Sequence, residues 1–517
     1  MVVASSKVSG LDIAVDDDDV HAVKTTTKQL GSRWTFARAF VALSVVAVVC
    51  TLLYAPRLGP RIEQQRGAAA AFLGLRVGRS GVADGDEGGI GPVVLDNQVG
   101  SPCSTMPENS ICCDRSDYHS DVCFMSGDVR TDAKSLSLLL FPPPGGAATT
   151  TAAKEERIRP YTRKWDAFVT KDIHEVRLRA ARPEESASPS SHRCDVRHDA
   201  PALVVTAGGY SHNMFHVFND GFLPAWLTAQ HLRRRVVVLA LAYTPSWAGR
   251  FGEMLAALSR YHVVDLLRDT RTHCFPGAIV GTRYHDYLAV DPARLRDNKT
   301  AVDFHKFLAA AYDDEPRHDE TAPRQQPRRL RLGIVSRKGR RVIENQAAVA
   351  DVAASVGFDV SVMETGRGRT PPLAATYAAV NAYDALVGVH GADLTAFLFL
   401  RPGTAALVQV APLGIKLLSR NLFGVPAARM GLHYEQYDLR LNESSLSRKY
   451  APDDVVVADP GRARLERGKK AWDLVEYVYL RGQNVSLDLG RFRETLTRRK
   501  SEVVHLVKAD CDNISMD

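Results

Sequence analysis

Hydrophobic and polar positions along this chain follow two rhythms, and one uncharged run stands apart from both. Residues 39–55 read AFVALSVVAVVCTLLYA, seventeen residues with no charge, preceded by Arg33 and Arg38 and followed by Pro56, Arg57 and Arg61. That length is at the short end of a bilayer-spanning helix. The run begins too far from Met1 for a cleaved signal peptide, whose apolar core falls within the first ~30 residues. It predicts a single transmembrane signal anchor over 39–55, a polar cytosolic tail over 1–38 and a stem over 56–100. The stem is rich in glycine, arginine and alanine, and lacks the apolar periodicity needed to bury a core.

Beyond residue 160 short β-branched runs alternate with stretches of helical period. Strands are predicted at 203–206, 236–241, 263–267 and 278–280, with helices at 213–232 and 247–261 between them. A charged stretch over 312–329 carries Pro316, Pro323 and Pro327 and reads as a linker. The alternation then resumes, with strands at 330–336, 358–362, 385–389 and 406–410 and helices at 345–356, 371–383 and 393–400. Such alternation predicts parallel sheets covered by helices on both faces. The expected architecture is α/β, two Rossmann-like domains with a cleft between them. One covers 101–320 with a cysteine-containing lead-in; the other covers 328–490, with a tail over 491–517.

Charge and cysteine usage refine this picture. A net charge of +7 is spread along the chain and forms no basic stripe interleaved with aromatics, which excludes a dedicated nucleic-acid binder. Cys50 sits in the anchor run, and Cys103, Cys112, Cys113, Cys123, Cys194, Cys274 and Cys511 follow it. In an oxidising lumen the cluster from Cys103 to Cys123 is expected to form local disulfides rather than a zinc site. The pairing stays open, and seven thiols leave one unpaired or paired between chains. Asn298, Asn442, Asn484 and Asn513 each begin an N-glycosylation tripeptide, and all follow the anchor. Together these place the bulk of the chain on the lumenal side, in type II orientation.

In open α/β sheets ligands bind beyond the carboxyl ends of strands. Three segments there carry chemistry. RKGRRVIEN at 337–345 puts Arg337, Lys338 and Arg341 on a strand-to-helix turn that ends in Asn345, a fitting clamp for a diphosphate. GVHGAD at 388–393 ends a strand in a turn where Gly391 and Ala392 leave backbone N–H groups accessible to an anion and His390 can donate to it. Asp393 there can equally cap the helix. GGYSHNMFHVFND at 208–220 spaces Asn213, His216 and Asp220 by three and four residues, one helical face. Either His216 or Asp220 can serve as general base toward an acceptor hydroxyl, or the two can simply pair with each other. No Asp-x-Asp stands at a strand end: Asp510-Cys-Asp512 is in the tail and Asp453-Asp454 follows a proline. Catalysis without an essential metal or other cofactor is expected, with cations and helix starts neutralising the leaving group.

In chain order, GGYSHNMFHVFND (208–220), RKGRRVIEN (337–345) and VGVHGADLTAFLFLRPG (387–403) resemble glycosyltransferase family 61, over roughly residues 155–480. The resemblance implies a GT-B fold, inversion at the anomeric carbon, a UDP-sugar donor and a Golgi type II membrane enzyme. It implies donor contacts at Arg337, Arg341, Asn345, His390, Gly391 and Ala392, with Gln409 toward the ribose. The acceptor and the base are implied around His216 and Asp220, with Tyr210 and Asn213 beside them. Ala396 stands where many members carry asparagine, and Gln409 where they carry an acid. The implied reaction is pentose transfer, arabinofuranose or xylose, to xylan. The alternatives are β1,2-xylosyl or N-acetylglucosaminyl transfer to glycoproteins, or a non-catalytic lumenal scaffold within a complex of transferases.

Overall fold

The computed structural model describes residues 94–143, 155–187, 192–313, 329–365 and 372–500. The anchor run at 39–55, the tail before it, most of the stem, Cys511, Asn513 and the Asp510-Cys-Asp512 segment lie outside the described residues. Within those residues, no helix is long and apolar enough to cross a membrane.

Two sheets organise the described chain. The first takes its strands from Ser110–Asp114 (β1), Val122–Asp132 (β2), Ser137–Phe141 (β3), Glu156–Ile158 (β4), Val176–Ala180 (β5), Val196–Arg197 (β6), Ala202–Thr206 (β7), Val237–Leu241 (β8), Val264–Asp265 (β9) and His273–Gly281 (β10). Their order is β4-β5-β3-β2-β10-β7-β8-β9, with β1 on β2 and β6 on β10. β7, β8, β9 and β10 are joined by parallel pairing, as the alternation predicts. The other half departs from that expectation. β2 runs antiparallel to β1, β3 and β10, so the sheet is mixed. Short links between β1, β2 and β3 leave no room for a crossover helix, and strands so joined must pair antiparallel. Disulfides Cys103–Cys112, Cys113–Cys123 and Cys194–Cys274 staple this region. Val204, Val237, Leu239, Val280, Met125 and Leu138 meet in its core, all essentially sealed from solvent.

The second sheet is built from Arg331–Ser336 (β11), Asp359–Glu364 (β12), Ala385–Val389 (β13), Ala406–Ala411 (β14) and His433–Asp438 (β15). Every pairing is parallel, in the order β12-β11-β13-β14-β15. Burial on both faces explains why the central strands read as unbroken apolar runs. Leu332, Ile334, Val387, Val408 and Val410 form its core, and a helix over 489–500 returns to add Phe492 and Leu496. The strand order reverses between β11 and β13. Ligand crevices in doubly wound sheets lie at such a reversal.

Helical segments join the two sheets. The run expected at 393–400 forms tight turns over Ala392–Phe399, and these pack against the segment Met214–His216 of the first lobe. Phe218 meets Phe399 with ring centres 5.8 Å apart. Phe215 meets Phe423 at 5.7 Å. Helix Ala301–Tyr312 ends with Tyr312 against Tyr377 at 5.3 Å.

Candidate functional site

The first lobe contributes a helix whose start is fixed by its own sequence. The Asn213 carboxamide accepts from the Phe215 N–H at 2.9 Å, capping the first turn. Ahead of it Gly209 has φ +66 and sits under the Tyr161 ring, where a Cβ would come within 2.6 Å; only glycine fits. After His216 the backbone widens into a π-helical turn over Val217–Phe222 before Leu223–Ala229 resumes α geometry. Inserted π turns of this kind re-aim side chains, often at functional positions. Here the turn carries Asn219 and Asp220 inward.

Asp220 is the hub of a buried network. Its Oδ2 accepts from His216 Nδ1 at 2.6 Å, Arg163 Nε at 2.8 Å and the Tyr161 hydroxyl at 3.1 Å; its Oδ1 accepts from Asn219 Nδ2 at 2.6 Å. His216, Asp220, Arg163 and Tyr161 are each no more than 5% exposed. Burial alone would raise the Asp220 pKa, but Arg163 and His216 outweigh it and hold the carboxyl well below the usual carboxylate range. An ionised carboxylate on Nδ1 keeps the proton there and makes Nε2 the basic nitrogen of His216. Tyr210 packs its ring against His216 at 4.8 Å, and its hydroxyl reaches Asp166 at 3.3 Å.

The second lobe presents the loops that follow β11 and β13, at the strand-order reversal. Arg337 lies across Gly391: a Cβ on that glycine would land on the guanidinium, and its φ of +149 is itself a conformation for glycine. Arg337 Nη1 is 3.3 Å from Asp393 Oδ2, which also accepts from Thr365 Oγ1 at 3.0 Å. Three strand-end loops are thereby tied together. Arg341 is 4% exposed, with a positive φ of 52, and its N–H donates to the Gln483 carbonyl at 3.1 Å. His390 is fully buried. Gln409, also fully buried, approaches His390 Nδ1 through its Nε2 at 3.0 Å, and its Oε1 accepts from the Tyr434 hydroxyl at 2.7 Å. With the amide nitrogen as donor, the His390 proton resides on Nε2. Gln409 therefore reaches His390 rather than the surface.

One ring joins the two lobes. Phe423, on its own π-helical turn over Arg420–Gly424, contacts Phe215 and stands edge-on to His390 at 5.2 Å. His216, Asp220, Tyr210 and Asn213 on one side are thus brought to the same crossing as His390, Gly391, Ala392 and Arg337 on the other. Lys338 and Asn345 have other engagements. Lys338 pairs with Glu364 at 2.8 Å, both well exposed. Asn345 brackets the backbone of Leu487, donating at 2.8 Å and accepting at 3.0 Å. Asn298 and Asn442 are exposed, whereas Asn484 is half-buried and its carboxamide oxygen accepts from the Val342 N–H at 3.1 Å. No group of three or more His, Cys, Asp or Glu side chains suited to a metal gathers among the described residues. Sequence reasoning passed over Tyr161 and Arg163. They lie 59 and 57 residues ahead of Asp220, in a short polar-aromatic stretch without periodicity.

The family model described as Glycosyltransferase 61 matches residues 210–407. Xylan glycosyltransferase MUCI21 of Arabidopsis thaliana is 36% identical over 414 residues, 78% of this chain and 82% of that protein. The chain belongs to glycosyltransferase family 61. As a family member it is a glycosyltransferase. Beta-1,2-xylosyltransferase XYXT1 of Oryza sativa subsp. japonica is 32% identical over 94% of this chain and 100% of its own length. Alpha-1,3-arabinosyltransferase XAT3 of the same species is 32% identical, over 74% of this chain and 64% of that one. Among solved structures, the iron-containing heptosyltransferase TibC with ADP-D-beta-D-heptose matches at 13% identity and a TM-score of 0.26, covering 68% of this chain and 85% of that chain. The family match starts at Tyr210, so the Asp220 partners Tyr161 and Arg163 come from outside it.

Proposed function

We propose that this glycosyltransferase transfers a pentose, xylose or arabinofuranose, from a UDP-sugar to xylan, with inversion, across the cleft of a GT-B fold. The observation that carries the reading is the meeting of the His216–Asp220–Arg163 network with the loops at the β11/β13 reversal around Phe423. In this reading His216 Nε2 takes the proton of the acceptor hydroxyl as its oxygen bonds to the anomeric carbon. The bond from that carbon to the UDP oxygen breaks, its electron pair leaving with the β-phosphate. Asp220 stays ionised and stabilises the imidazolium, as a carboxylate does behind a histidine base. Arg337, Arg341, the His390 Nε2–H and the Gly391–Ala392 backbone would receive the diphosphate charge, which needs no metal. Lys338 and Asn345 flank this donor site, and Tyr210 and Asn213 line the acceptor side. The names of the relatives, a xylan glycosyltransferase, a xylosyltransferase and an arabinosyltransferase, support the pentose and the acceptor.

We place the chain in the Golgi membrane with its catalytic part in the lumen, alone or in a complex with other transferases. The uncharged run at 39–55, the disulfides and the exposed tripeptide asparagines Asn298 and Asn442 support that placement. The test is a panel of UDP-xylose, UDP-arabinofuranose and UDP-N-acetylglucosamine with xylo-oligosaccharides on the full chain, with linkage analysis of the product. His216→Gln should lower kcat by ~100-fold or more while UDP still raises the melting temperature. Undiminished transfer by that variant removes His216 as base. Transfer to glycopeptides alone overturns the acceptor.

A further inference from the structure

A cluster of aromatic rings lies beside the Asp220 network and takes no part in the proposed proton transfer. Tyr118 stands at the tip of the loop between β1 and β2, 49% exposed. Its ring is nearly parallel to that of Trp165, 10° apart in plane with centres at 6.3 Å, an offset arrangement that leaves aromatic surface outward. Trp165 is held in place: its indole N–H donates to His119 Nδ1 at 3.2 Å, and His119 stacks on buried Tyr284 at 4.4 Å. On the inner side, the Arg163 guanidinium sits 5.6 Å from the Trp165 ring and donates to Asp220 at 2.8 Å. One residue therefore separates the outer rings from the carboxylate behind His216.

The loop that bears Tyr118 is braced far more than an exposed turn requires. The Cys113–Cys123 disulfide closes its base. Asp117 accepts from the His119 N–H at 2.7 Å and pairs with Arg294 at 3.2 Å. Asp121 receives both Arg115 at 2.6 Å and Lys164 at 2.8 Å, while the Lys164 N–H donates to the His119 carbonyl at 3.0 Å. The last two contacts tie the Tyr118 loop to the Trp165 segment. Such bracing fixes the rings before any ligand arrives, and preorganisation of this kind lowers the entropic cost of binding.

We infer that Tyr118 and Trp165 form a carbohydrate subsite that holds the xylan backbone a few sugars away from the unit receiving the new branch. The inference rests on the acceptor being a xylan, as proposed above. Flat, largely apolar faces of pyranose rings stack on aromatic surfaces, and a xylosyl unit, lacking a hydroxymethyl arm, presents the flatter faces. Part-exposed Lys164 and Asp117, which brace the loop beside the rings, carry polar groups that its hydroxyls can share.

The full chain, purified in detergent, is titrated calorimetrically with xylohexaose and xylobiose and assayed for transfer to each. Tyr118→Ala is expected to weaken xylohexaose binding, and to raise its KM, by about tenfold, a stacking contribution of ordinary size. The kcat, the donor KM and the response to xylobiose should stay as in the wild type, and Tyr118→Trp should restore the hexaose values. Unchanged hexaose binding in Tyr118→Ala, or equal losses for both oligosaccharides, overturns the subsite. So does a wild-type chain that fails to bind xylohexaose or prefers an unglycosylated peptide. If the wild type binds xylohexaose through Tyr118 but transfers no sugar to it, the subsite stands and the proposed reaction falls. If transfer proceeds and the variant keeps the wild-type KM, the reverse holds.

Discussion

Asp220 takes hydrogen bonds from Tyr161, Arg163, His216 and Asn219, and its worth depends on all of them. Asp220→Asn keeps the shape but leaves the Arg163 guanidinium, 3% exposed, without its counter-charge. Removing one partner of a buried ion pair costs about 3–5 kcal/mol. The expected outcome is a loss of that order in urea unfolding together with a large drop in transfer. Adding Arg163→Met should recover much of the stability and none of the activity; a double variant as unstable as the single one would contradict this account. Part of this site was legible in the sequence. The three- and four-residue spacing of Asn213, His216 and Asp220 put them on one side of a helix, and the structure seats His216 against Asp220. Arg163 and Tyr161 were not legible, since a contact spanning more than fifty residues leaves no periodic mark in a single chain.

At the level of elements, β11, β13 and β14 were readable because burial on both faces demands unbroken apolar runs such as ALVGV at Ala385–Val389. β2 was not, because its sequence VCFMSGDVRTD interrupts the apolar positions with Ser, Gly and Asp. Its place is secured instead by neighbours on both sides and by a disulfide. The helix over 213–232 was expected; its π-helical turn was not, because nothing in residue type distinguishes one extra residue in a turn. A second element-level consequence concerns the segment from Tyr284 to Asp291, which borders the aromatic cluster. Burial, then the Arg294 guanidinium, push the His285 imidazole down from 6.5 to about 3, and its Nδ1 accepts from the Asp291 N–H at 3.0 Å. The unfolded chain binds a proton there below 6.5 and the folded one does not until about 3. Stability from this group is therefore complete above the unfolded value and is lost as pH falls across that window. His285→Asn, which keeps an acceptor and removes the titration, should flatten the decline of melting temperature between pH 6.5 and 3. An unchanged slope would assign the acid sensitivity elsewhere.

For the whole molecule, the acceptor tripeptides separate by surroundings that sequence does not report. Asn298 and Asn442 are exposed, while the Asn484 carboxamide is committed to the Val342 N–H. Peptide mapping of protein secreted from eukaryotic cells should find glycans on Asn298 and Asn442 and none on Asn484; a fully occupied Asn484 would mean that this contact forms late or opens readily. The chain just ahead of the cysteine cluster matters in another way. Arg283, 5% exposed, spreads its guanidinium between Asp96 at 2.6 Å, Ser101 at 2.9 Å and Asp114 at 2.5 Å. Residues that look like the end of a tether thus act as a clasp on the segment that follows β10. Anyone trimming the protein for crystallisation at Cys103 would remove Asp96 and Ser101, two of the three groups that hold that arginine, and should cut ahead of residue 94 instead.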